Sequence, residues 1–297
     1  MTENISKNRI KVWLLASRPK TLPAAAAPIF VGTAVAISTD KLNLFAAFIA
    51  LVCSVLIQIG TNFVNDLYDF LKGTDDENRV GPKRALAEGW ITPANMKRAI
   101  FLTFGITFLL GLYLVYHAGW IILLVGVLSI LSGYAYTAGP YPLAYNGLGD
   151  VFVFFFFGVV ATVGTYYVQA IEFSLYALLA SIPVGLLITN ILVVNNYRDA
   201  DEDKKKNKRT LAVKFGKYFA RYQYILSVLI SYLIPFLIFI FFDTSAYILI
   251  PLATLPFAIK LIKEMNKYNG ERLNETLALT AKLSVLFSFL FSIGIAL

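Results

Sequence analysis

NFVNDLYDFLKGTDDENRVGPKR, residues 62–84, begins at the end of an apolar run and ends in a charged loop. If its first part is helical, Asn65 and Asp69 lie four residues apart on one helix face. Neighbouring carboxylates repel one another unless a cation lies between them. Oxygen ligands suit a hard cation such as Mg²⁺, which binds phosphate groups as well. The stretch therefore indicates a site for a metal ion and phosphate where an apolar helix ends.

A second stretch, NNYRDADEDKKKNKRTLAVKFG at residues 195–216, repeats this pattern. Asn195, Asp199 and Asp203 follow one another at intervals of four residues, so a helix would place all three on one face. Both stretches share the form Asn-x-x-x-Asp, and a basic run follows each. One such stretch alone is also typical of a solvated loop of mixed charge. Two copies, each at the end of an apolar run, favour a site for a polyanion carried on metal ions.

The composition of the chain is that of a polytopic membrane protein. Of its 297 residues 58% are hydrophobic and 15% are charged, and the mean hydropathy is +0.68. The net charge of +8 is explained by the excess of Lys and Arg that cytoplasmic loops carry, so we expect no nucleic acid partner. The single cysteine, Cys53, excludes an intramolecular disulfide bond.

Nine apolar spans divide the chain, and each approaches the ~20 residues that a helix needs to cross a bilayer. The spans are 21–37, 44–67, 99–116, 120–136, 149–168, 175–195, 220–242, 246–262 and 276–297. Together they predict one all-α domain over residues 1–297, a polytopic membrane bundle of about nine transmembrane helices around a central cavity.

The distribution of basic residues predicts the orientation of this bundle. With a cytoplasmic N-terminus, the inside segments are 1–20, 68–98, 137–148, 196–219 and 263–275. Of the 26 Lys and Arg residues, only Lys41 then falls in an outside loop, which is a strong positive-inside signal. Both acidic stretches lie at the cytoplasmic face in this arrangement, with 68–98 and 196–219 as the active-site loops, and the C-terminus lies outside.

A few other residues carry weaker signals. Asp150 starts the fifth span, where it is either a ligand or an acid favourable to the helix dipole. The aromatic run FVFFFF at 152–157 is either packing surface or the lining of a cavity for an apolar chain. Lys282 enters the last span by about a turn, from where it can snorkel. His117, the only histidine, lies in an outside turn far from the acids, which argues against catalysis.

A diphosphate is the polyanion that fits these features best. Its oxygens can bridge Mg²⁺ ions held by carboxylates, while Lys and Arg balance the remaining charge. Metal and cations together stabilise diphosphate as a leaving group. An apolar cavity open to lipid suits a polyprenyl tail. The expected chemistry is ionisation of an allylic diphosphate and capture of the carbocation by an electron-rich acceptor.

The motif NDLYDF with the later Asp75, together with NNYRDADED, resembles the two Asp-rich motifs of the UbiA superfamily of intramembrane aromatic prenyltransferases. Within it, the segments at 66–93, 136–158 and 195–213 are similar to the 1,4-dihydroxy-2-naphthoate polyprenyltransferases of menaquinone synthesis. The resemblance implies transfer of a polyprenyl group from polyprenyl diphosphate to 1,4-dihydroxy-2-naphthoate, with loss of CO₂ and diphosphate. It also implies a bacterial inner-membrane enzyme that requires Mg²⁺ and yields demethylmenaquinol.

The same resemblance implies roles for individual residues. The metal ligands that it implies are Asn65, Asp69, Asp75, Asn195, Asp199 and Asp203. The carboxylates that it implies for catalysis are Asp66, Asp69, Asp199 and Asp203. The cations that it implies for diphosphate binding are Lys72, Arg79, Arg84, Lys208 and Arg209.

Two alternatives remain at this stage. Many UbiA relatives that use 4-hydroxybenzoate carry a Tyr-x-x-x-Lys pattern, whereas the corresponding YPLAY, Tyr141 to Tyr145, has no lysine here. The sequence therefore disfavours the hydroxybenzoate acceptor, together with an acceptor role for Tyr141. A cation or phosphate transporter would also use intramembrane acids, but transporters usually place them near the bilayer midplane and not at one face.

Overall fold

The computed structural model describes residues 9–74 and 83–297, and these are helical with no β-strand among them. The α-helices are α1 (Arg9–Ala16), α2 (Leu22–Ser38), α3 (Leu44–Leu71), α4 (Pro93–Ala118), α5 (Trp120–Ala135), α6 (Gly149–Val153), α7 (Ala161–Ala170), α8 (Leu175–Lys205), α9 (Leu211–Phe241), α10 (Leu255–Lys267) and α11 (Leu273–Ala296). A π-helical segment, Phe154–Val160, joins α6 to α7. Short 3-10 helices lie at Pro19–Thr21, Leu143–Tyr145, Ala246–Thr254 and Gly270–Arg272.

The number of membrane spans agrees with the sequence prediction. Within the described ranges, 8 helical segments are long and apolar enough to cross a membrane, and α5 is a shorter apolar helix of 16 residues. The expected all-α polytopic bundle is therefore confirmed. Some spans combine adjacent elements, since α6, the π-helical segment and α7 form one continuous segment.

The helices at the acidic stretches are longer than expected. The loop predicted at 196–219 is mostly helix, because α8 continues to Lys205 and α9 begins at Leu211, which leaves only 206–210 between them. In the same way α3 runs to Leu71 and α4 begins at Pro93, so the segment between them is shorter than 68–98. Hydropathy falls before the helix ends, because Lys, Arg and Glu form helices well although their side chains are charged.

Helix α8 lies at the centre of the main hydrophobic core. Val31 of α2, Val184 of α8, Tyr224 of α9 and Phe287 of α11 are all completely buried in this core. The acidic residues of the second stretch lie in the last part of α8, so packing along the rest of the helix fixes their position. We call the end of the bundle where α3 and α8 end the acidic end.

A smaller core fixes the segment that follows the first acidic stretch. Val64 and Leu67 of α3 pack with Leu86 and with Met96 of α4, and all four are buried. Val12 of α1 belongs to the same cluster. Residues 83–91 are thereby held against the last turns of α3.

Candidate active site

A large cavity connects the acidic end with the apolar interior. Its volume is about 1660 Å³. Asp69 and Asp203 line it at the acidic end, and Val115 of α4 and Val168 of α7 line it close to the opposite ends of their helices. The cavity therefore combines a charged end with an apolar interior that runs along the helices.

The aromatic run of the π-helical region contributes to both cavity and packing. Phe152, Phe156 and Phe157 line the cavity, as one of the two sequence interpretations expected. Phe154 instead packs close to Gly185 of α8, and Phe155 is exposed. The two interpretations thus apply to different members of the run, because its helical geometry points successive side chains in different directions.

Asp69 occupies the centre of the first acidic stretch. Its Oδ1 accepts a hydrogen bond from the Tyr145 hydroxyl at 2.7 Å, and its Oδ2 forms an ion pair with Arg84 at 3.2 Å. The Arg84 side chain is only 9% exposed. An acid of α3 and an arginine of the following segment therefore form an ion pair at the acidic end.

Asp66, predicted among the catalytic carboxylates, is 2% exposed and accepts a hydrogen bond from the Ala85 backbone N–H at 3.1 Å. This bond attaches the 83–91 segment to α3, next to Arg84. Asn65 accepts a hydrogen bond from the hydroxyl of Thr137. Both residues also line the cavity. Asp66 therefore contacts the cavity and also holds the backbone next to Arg84 in place.

The second acidic stretch contains an arginine that sequence reasoning missed. The Arg198 Nε and Nη2 atoms contact the two carboxylate oxygens of Asp199 at 2.6 and 2.7 Å. Nη2 also donates to Asn195 Oδ1 at 2.9 Å, and Nη1 donates to Asn274 Oδ1 of α11 at 2.6 Å. Arg198 thus contacts Asn195 and Asp199, two of the three residues on the helix face that was predicted to bind metal. Its position between Asn195 and Asp199 in NNYRDAD was the available signal.

Asp203 lies one turn further along α8 and is 7% exposed. Lys208 forms an ion pair with its Oδ1 at 3.5 Å, and the Lys208 backbone N–H donates to the Asp203 carbonyl at 2.8 Å. The other carboxylate oxygen, Oδ2, is buried and accepts no hydrogen bond from the described residues. Buried carboxylate oxygens normally have a hydrogen-bond donor as partner. An oxygen without one is expected where a bound cation would take the place of that donor.

Tyr145 links the two stretches and was not predicted. Its hydroxyl donates to Asp69 and lies 3.0 Å from the Thr74 hydroxyl. The Lys72 and Lys208 ammonium groups lie 4.3 and 5.4 Å from its ring centroid, within the range of cation–π attraction. Burial and the Asp69 charge raise the pKa of Tyr145, so its hydroxyl stays protonated as a donor. The YPLAY segment has no lysine at the position of the Tyr-x-x-x-Lys pattern, but it supplies Tyr145 to the site.

Some predicted diphosphate ligands lie elsewhere. Lys72 donates to the Thr137 carbonyl at 2.6 Å and stands beside the Tyr145 ring, not on the cavity wall, and partial burial lowers its pKa. The Arg209 side chain is exposed, and its backbone N–H donates to the Tyr145 carbonyl at 2.8 Å. Asp75 and Arg79 lie outside the described residues.

Asp150 is buried at the start of α6, where only 4% of it is exposed. Gln223 of α9 donates to its Oδ1 at 3.1 Å, and Asn196 of α8 lies 3.5 Å from its Oδ2. These contacts connect three elements next to the cavity. Of the two interpretations that the sequence left open, they support a structural role at the helix start.

The side chains at the acidic end offer the oxygen ligands that Mg²⁺ prefers. Asn65, Asp69, Asn195, Asp199 and Asp203 all line the cavity and offer only oxygen. Across 9–74 and 83–297, no group of three His, Cys, Asp or Glu side chains is arranged to hold a metal ion alone. Mg²⁺ is commonly held by one or two carboxylates together with water and substrate phosphates, so such a group is not required. The unpartnered Asp203 oxygen supports the fit.

An intramembrane helical bundle with two Asp-rich helix ends around one cavity defines the class of protein. The chain belongs to the UbiA prenyltransferase family, whose model matches residues 25–290. It is 36% identical to the 1,4-dihydroxy-2-naphthoate octaprenyltransferase of Escherichia coli over 98% of this chain and 96% of that one. The protein of the same name from Bacillus subtilis is 32% identical over 96% of this chain and 91% of that one.

Solved structures of the family share the fold. A UbiA homologue from Archaeoglobus fulgidus bound to GPP and Mg²⁺ has a TM-score of 0.71 at 17% identity, over 96% of this chain and 99% of that one. The same protein bound to DMAPP and Mg²⁺ gives a TM-score of 0.68 at 18% identity, over 96% and 98%. The UbiA-like fold expected from the sequence motifs is therefore confirmed.

Proposed function

We propose that this protein transfers a polyprenyl group from polyprenyl diphosphate to 1,4-dihydroxy-2-naphthoate, with loss of CO₂ and diphosphate, giving demethylmenaquinol. The observation that carries the proposal is the cavity, which joins an end rich in carboxylates and cations to an apolar interior. The names of the full-length relatives from Escherichia coli and Bacillus subtilis support the naphthoate acceptor. A transporter receives no support from these relatives.

The acidic end would hold the diphosphate together with Mg²⁺. Asn65, Asp69, Asp199 and Asp203 are the residues that would hold the metal. When bound, Mg²⁺ neutralises the diphosphate charge and so makes it a better leaving group. The Archaeoglobus fulgidus structures bound to Mg²⁺ and prenyl diphosphates support this assignment.

The cations of the site would bind the diphosphate oxygens. Arg84 can form two hydrogen bonds to phosphate at once, and Lys208 approaches from the loop after α8. The C1–O bond of the prenyl diphosphate breaks and its electron pair leaves with the diphosphate. A ring carbon of the acceptor forms the new bond to C1, and CO₂ leaves the ring. The electron pair of the broken ring–carboxylate bond stays with the ring, so the product is formed with no net loss of a proton. The apolar walls protect the allylic cation from water.

We further propose that residues 1–297 act as one domain in the bacterial inner membrane, with the acidic end in the cytoplasm. The basic residues support this orientation, since only Lys41 would lie in an outside loop. Diphosphate substrates would then reach the site from the cytoplasm, and the C-terminus would lie outside.

Mass spectrometry of the product tests the proposed acceptor. Membranes containing the protein are supplied with Mg²⁺, geranylgeranyl diphosphate and either 1,4-dihydroxy-2-naphthoate or 4-hydroxybenzoate. We expect a decarboxylated prenyl product from the naphthoate and none from the hydroxybenzoate, and chelation of Mg²⁺ should stop the reaction. A prenylated hydroxybenzoate in place of the naphthoate product would reassign the acceptor.

A further inference from the structure

Lys282 is a cation on the cavity wall, inside the last membrane-spanning helix. The sequence placed it about one turn into that helix, but α11 begins at Leu273, so Lys282 lies about two and a half turns inside. Its side chain is exposed and lines the cavity together with Val285 and Phe289 of the same helix.

No partner within the described residues accounts for this charge. Lys282 forms no hydrogen bond and no ion pair in the described ranges, unlike Arg84, Arg198 and Lys208 of the acidic end. A charged side chain inside a membrane segment is costly and usually faces a cavity where it has a function. The missing partner is therefore best sought among the molecules that enter the cavity.

The depth of Lys282 separates it from the diphosphate end. Asn274 of α11 accepts a hydrogen bond from Arg198, which fixes where this helix passes the acidic residues. Eight residues further, the Lys282 backbone lies about 12 Å deeper in the bundle. Helical side chains lean toward the N-terminus of their helix, so the ammonium group points back toward the acidic end. It thus lies between the acids and the apolar interior of the cavity.

We propose that Lys282 binds the carboxylate of the aromatic acceptor and thereby positions its ring, an inference that rests on the proposed function. The acceptor ring must meet C1 of the prenyl group between the bound diphosphate and the apolar tail. A carboxylate there needs a cation, and Asp69, Asp199 and Asp203 would repel it at the acidic end itself. An ammonium group offers that carboxylate a charge-assisted hydrogen bond at the required depth.

Equilibrium binding of two naphthalene probes tests this role without turnover. The probes are 1-hydroxy-2-naphthoate, which carries the carboxylate, and 1-naphthol, which lacks it. Both are titrated into purified protein with Mg²⁺ and inorganic diphosphate present. We expect Lys282→Met to weaken binding of 1-hydroxy-2-naphthoate roughly 10- to 100-fold, as for a lost charge-assisted hydrogen bond, and to leave 1-naphthol binding unchanged. Lys282→Arg should retain most of the affinity for the naphthoate.

The matched control is Lys260→Met on α10, where Lys260 is exposed and paired with Glu264 at 3.7 Å outside the cavity. This variant should bind both probes as the wild type does. Equal affinity of wild type and Lys282→Met for 1-hydroxy-2-naphthoate would overturn the assignment, as would equal losses for both probes. A higher KM for prenyl diphosphate with unchanged naphthoate binding would also overturn it and assign Lys282 to the diphosphate.

These results are separable from a failure of the proposed function. A wild-type protein that prenylates the naphthoate, together with a Lys282→Met variant that binds it normally, removes only the role of Lys282. A wild-type protein that does not prenylate the naphthoate removes the proposed function itself.

Discussion

Arg84 is the residue through which the 83–91 segment contributes a cation to the acidic end. Its guanidinium pairs with Asp69 and is 9% exposed, while the neighbouring Asp66–Ala85 hydrogen bond holds its backbone. An arginine in this position is too buried to serve mainly as a contact for lipid headgroups. Its planar fork can hold a carboxylate and a phosphate oxygen in fixed directions, which an ammonium group cannot do.

We expect Arg84→Lys to lose most of the prenyltransferase activity, by about tenfold or more, because the lysine cannot form the paired hydrogen bonds of a guanidinium. The loss should appear as a higher KM for prenyl diphosphate more than for the naphthoate. Steady-state kinetics with each substrate varied in turn measure it. Arg98→Lys is the control, since Arg98 is exposed near the start of α4 and lies off the cavity wall. Wild-type kinetics for Arg84→Lys would remove Arg84 from the diphosphate site.

The Arg198–Asp199 pair predicts a difference between two substitutions of one aspartate. Asp199→Ala leaves the buried Arg198 guanidinium without its main partner, which should destabilise the fold by about 3 kcal/mol. Asp199→Asn retains a hydrogen-bond acceptor and should destabilise it less. Both variants should lose turnover, since neither supplies a carboxylate for the metal. Thermal unfolding in detergent and product formation measure the two effects separately, and equal stability of the two variants would contradict the role given to Arg198.

At the scale of the elements, α8 and the π-helical segment are held together by a close glycine contact. A Cβ on Gly185 would lie 2.8 Å from Gly158 Cα and 2.9 Å from the Phe154 carbonyl oxygen. These are backbone atoms, so neither helix can yield without moving as a whole. The contact fixes the distance between the helix that carries the second acidic stretch and the aromatic side of the cavity, as small residues do where membrane helices approach closely.

Gly185→Ala should therefore destabilise the protein by about 1–3 kcal/mol, the usual range for overpacking a tight contact. Thermal unfolding in detergent measures this change. Gly105→Ala in α4 is the control, because a Cβ there meets no atom within 4 Å and alanine is the better helix former. A neutral Gly185→Ala would show that the helices separate easily, against the packing described above.

At the scale of the whole molecule, the bundle places its two acidic helix ends on one side, where their residues line the same cavity. The distribution of Lys and Arg along the chain and the proposed chemistry both favour a cytoplasmic position for the acidic end. Both substrates carry negative charge, and a cytoplasmic position of the acidic end would make the site accessible to them from inside the cell.

Cysteine labelling tests that orientation. In a background with Cys53→Ala, a cysteine at Lys205 should react with a membrane-impermeant reagent only after the cytoplasmic face is opened. A cysteine at Asp243 should react in intact cells, because it lies at the opposite end of α9. Both positions are exposed in the structure, so differences in labelling report the side of the membrane. Labelling of residue 205 from outside would invert the proposed orientation.

The sequence by itself determined the membrane-spanning helices and the two acidic helix faces. Each apolar run long enough to cross a bilayer must form a helix, since a lipid environment leaves backbone hydrogen bonds no other partner. The four-residue spacing in Asn65/Asp69 and Asn195/Asp199 placed the acids on helix faces, and the structure brings both faces to one cavity. Helix formation and the four-residue spacing of the acids depend on the geometry of a single helix, which the order of residues along the chain is sufficient to predict.

Only the tertiary structure decided which side chains meet between helices that are distant in sequence. Tyr145 joins Asp69 to the second stretch, and Arg198 reaches from α8 to Asn274 of α11. Arg209 is exposed and does not line the cavity. These contacts depend on how helices rotate and pack to bury their apolar faces. Charge spacing along one segment cannot specify that rotation, because it is set by close contacts such as Gly158 against Gly185 elsewhere in the bundle.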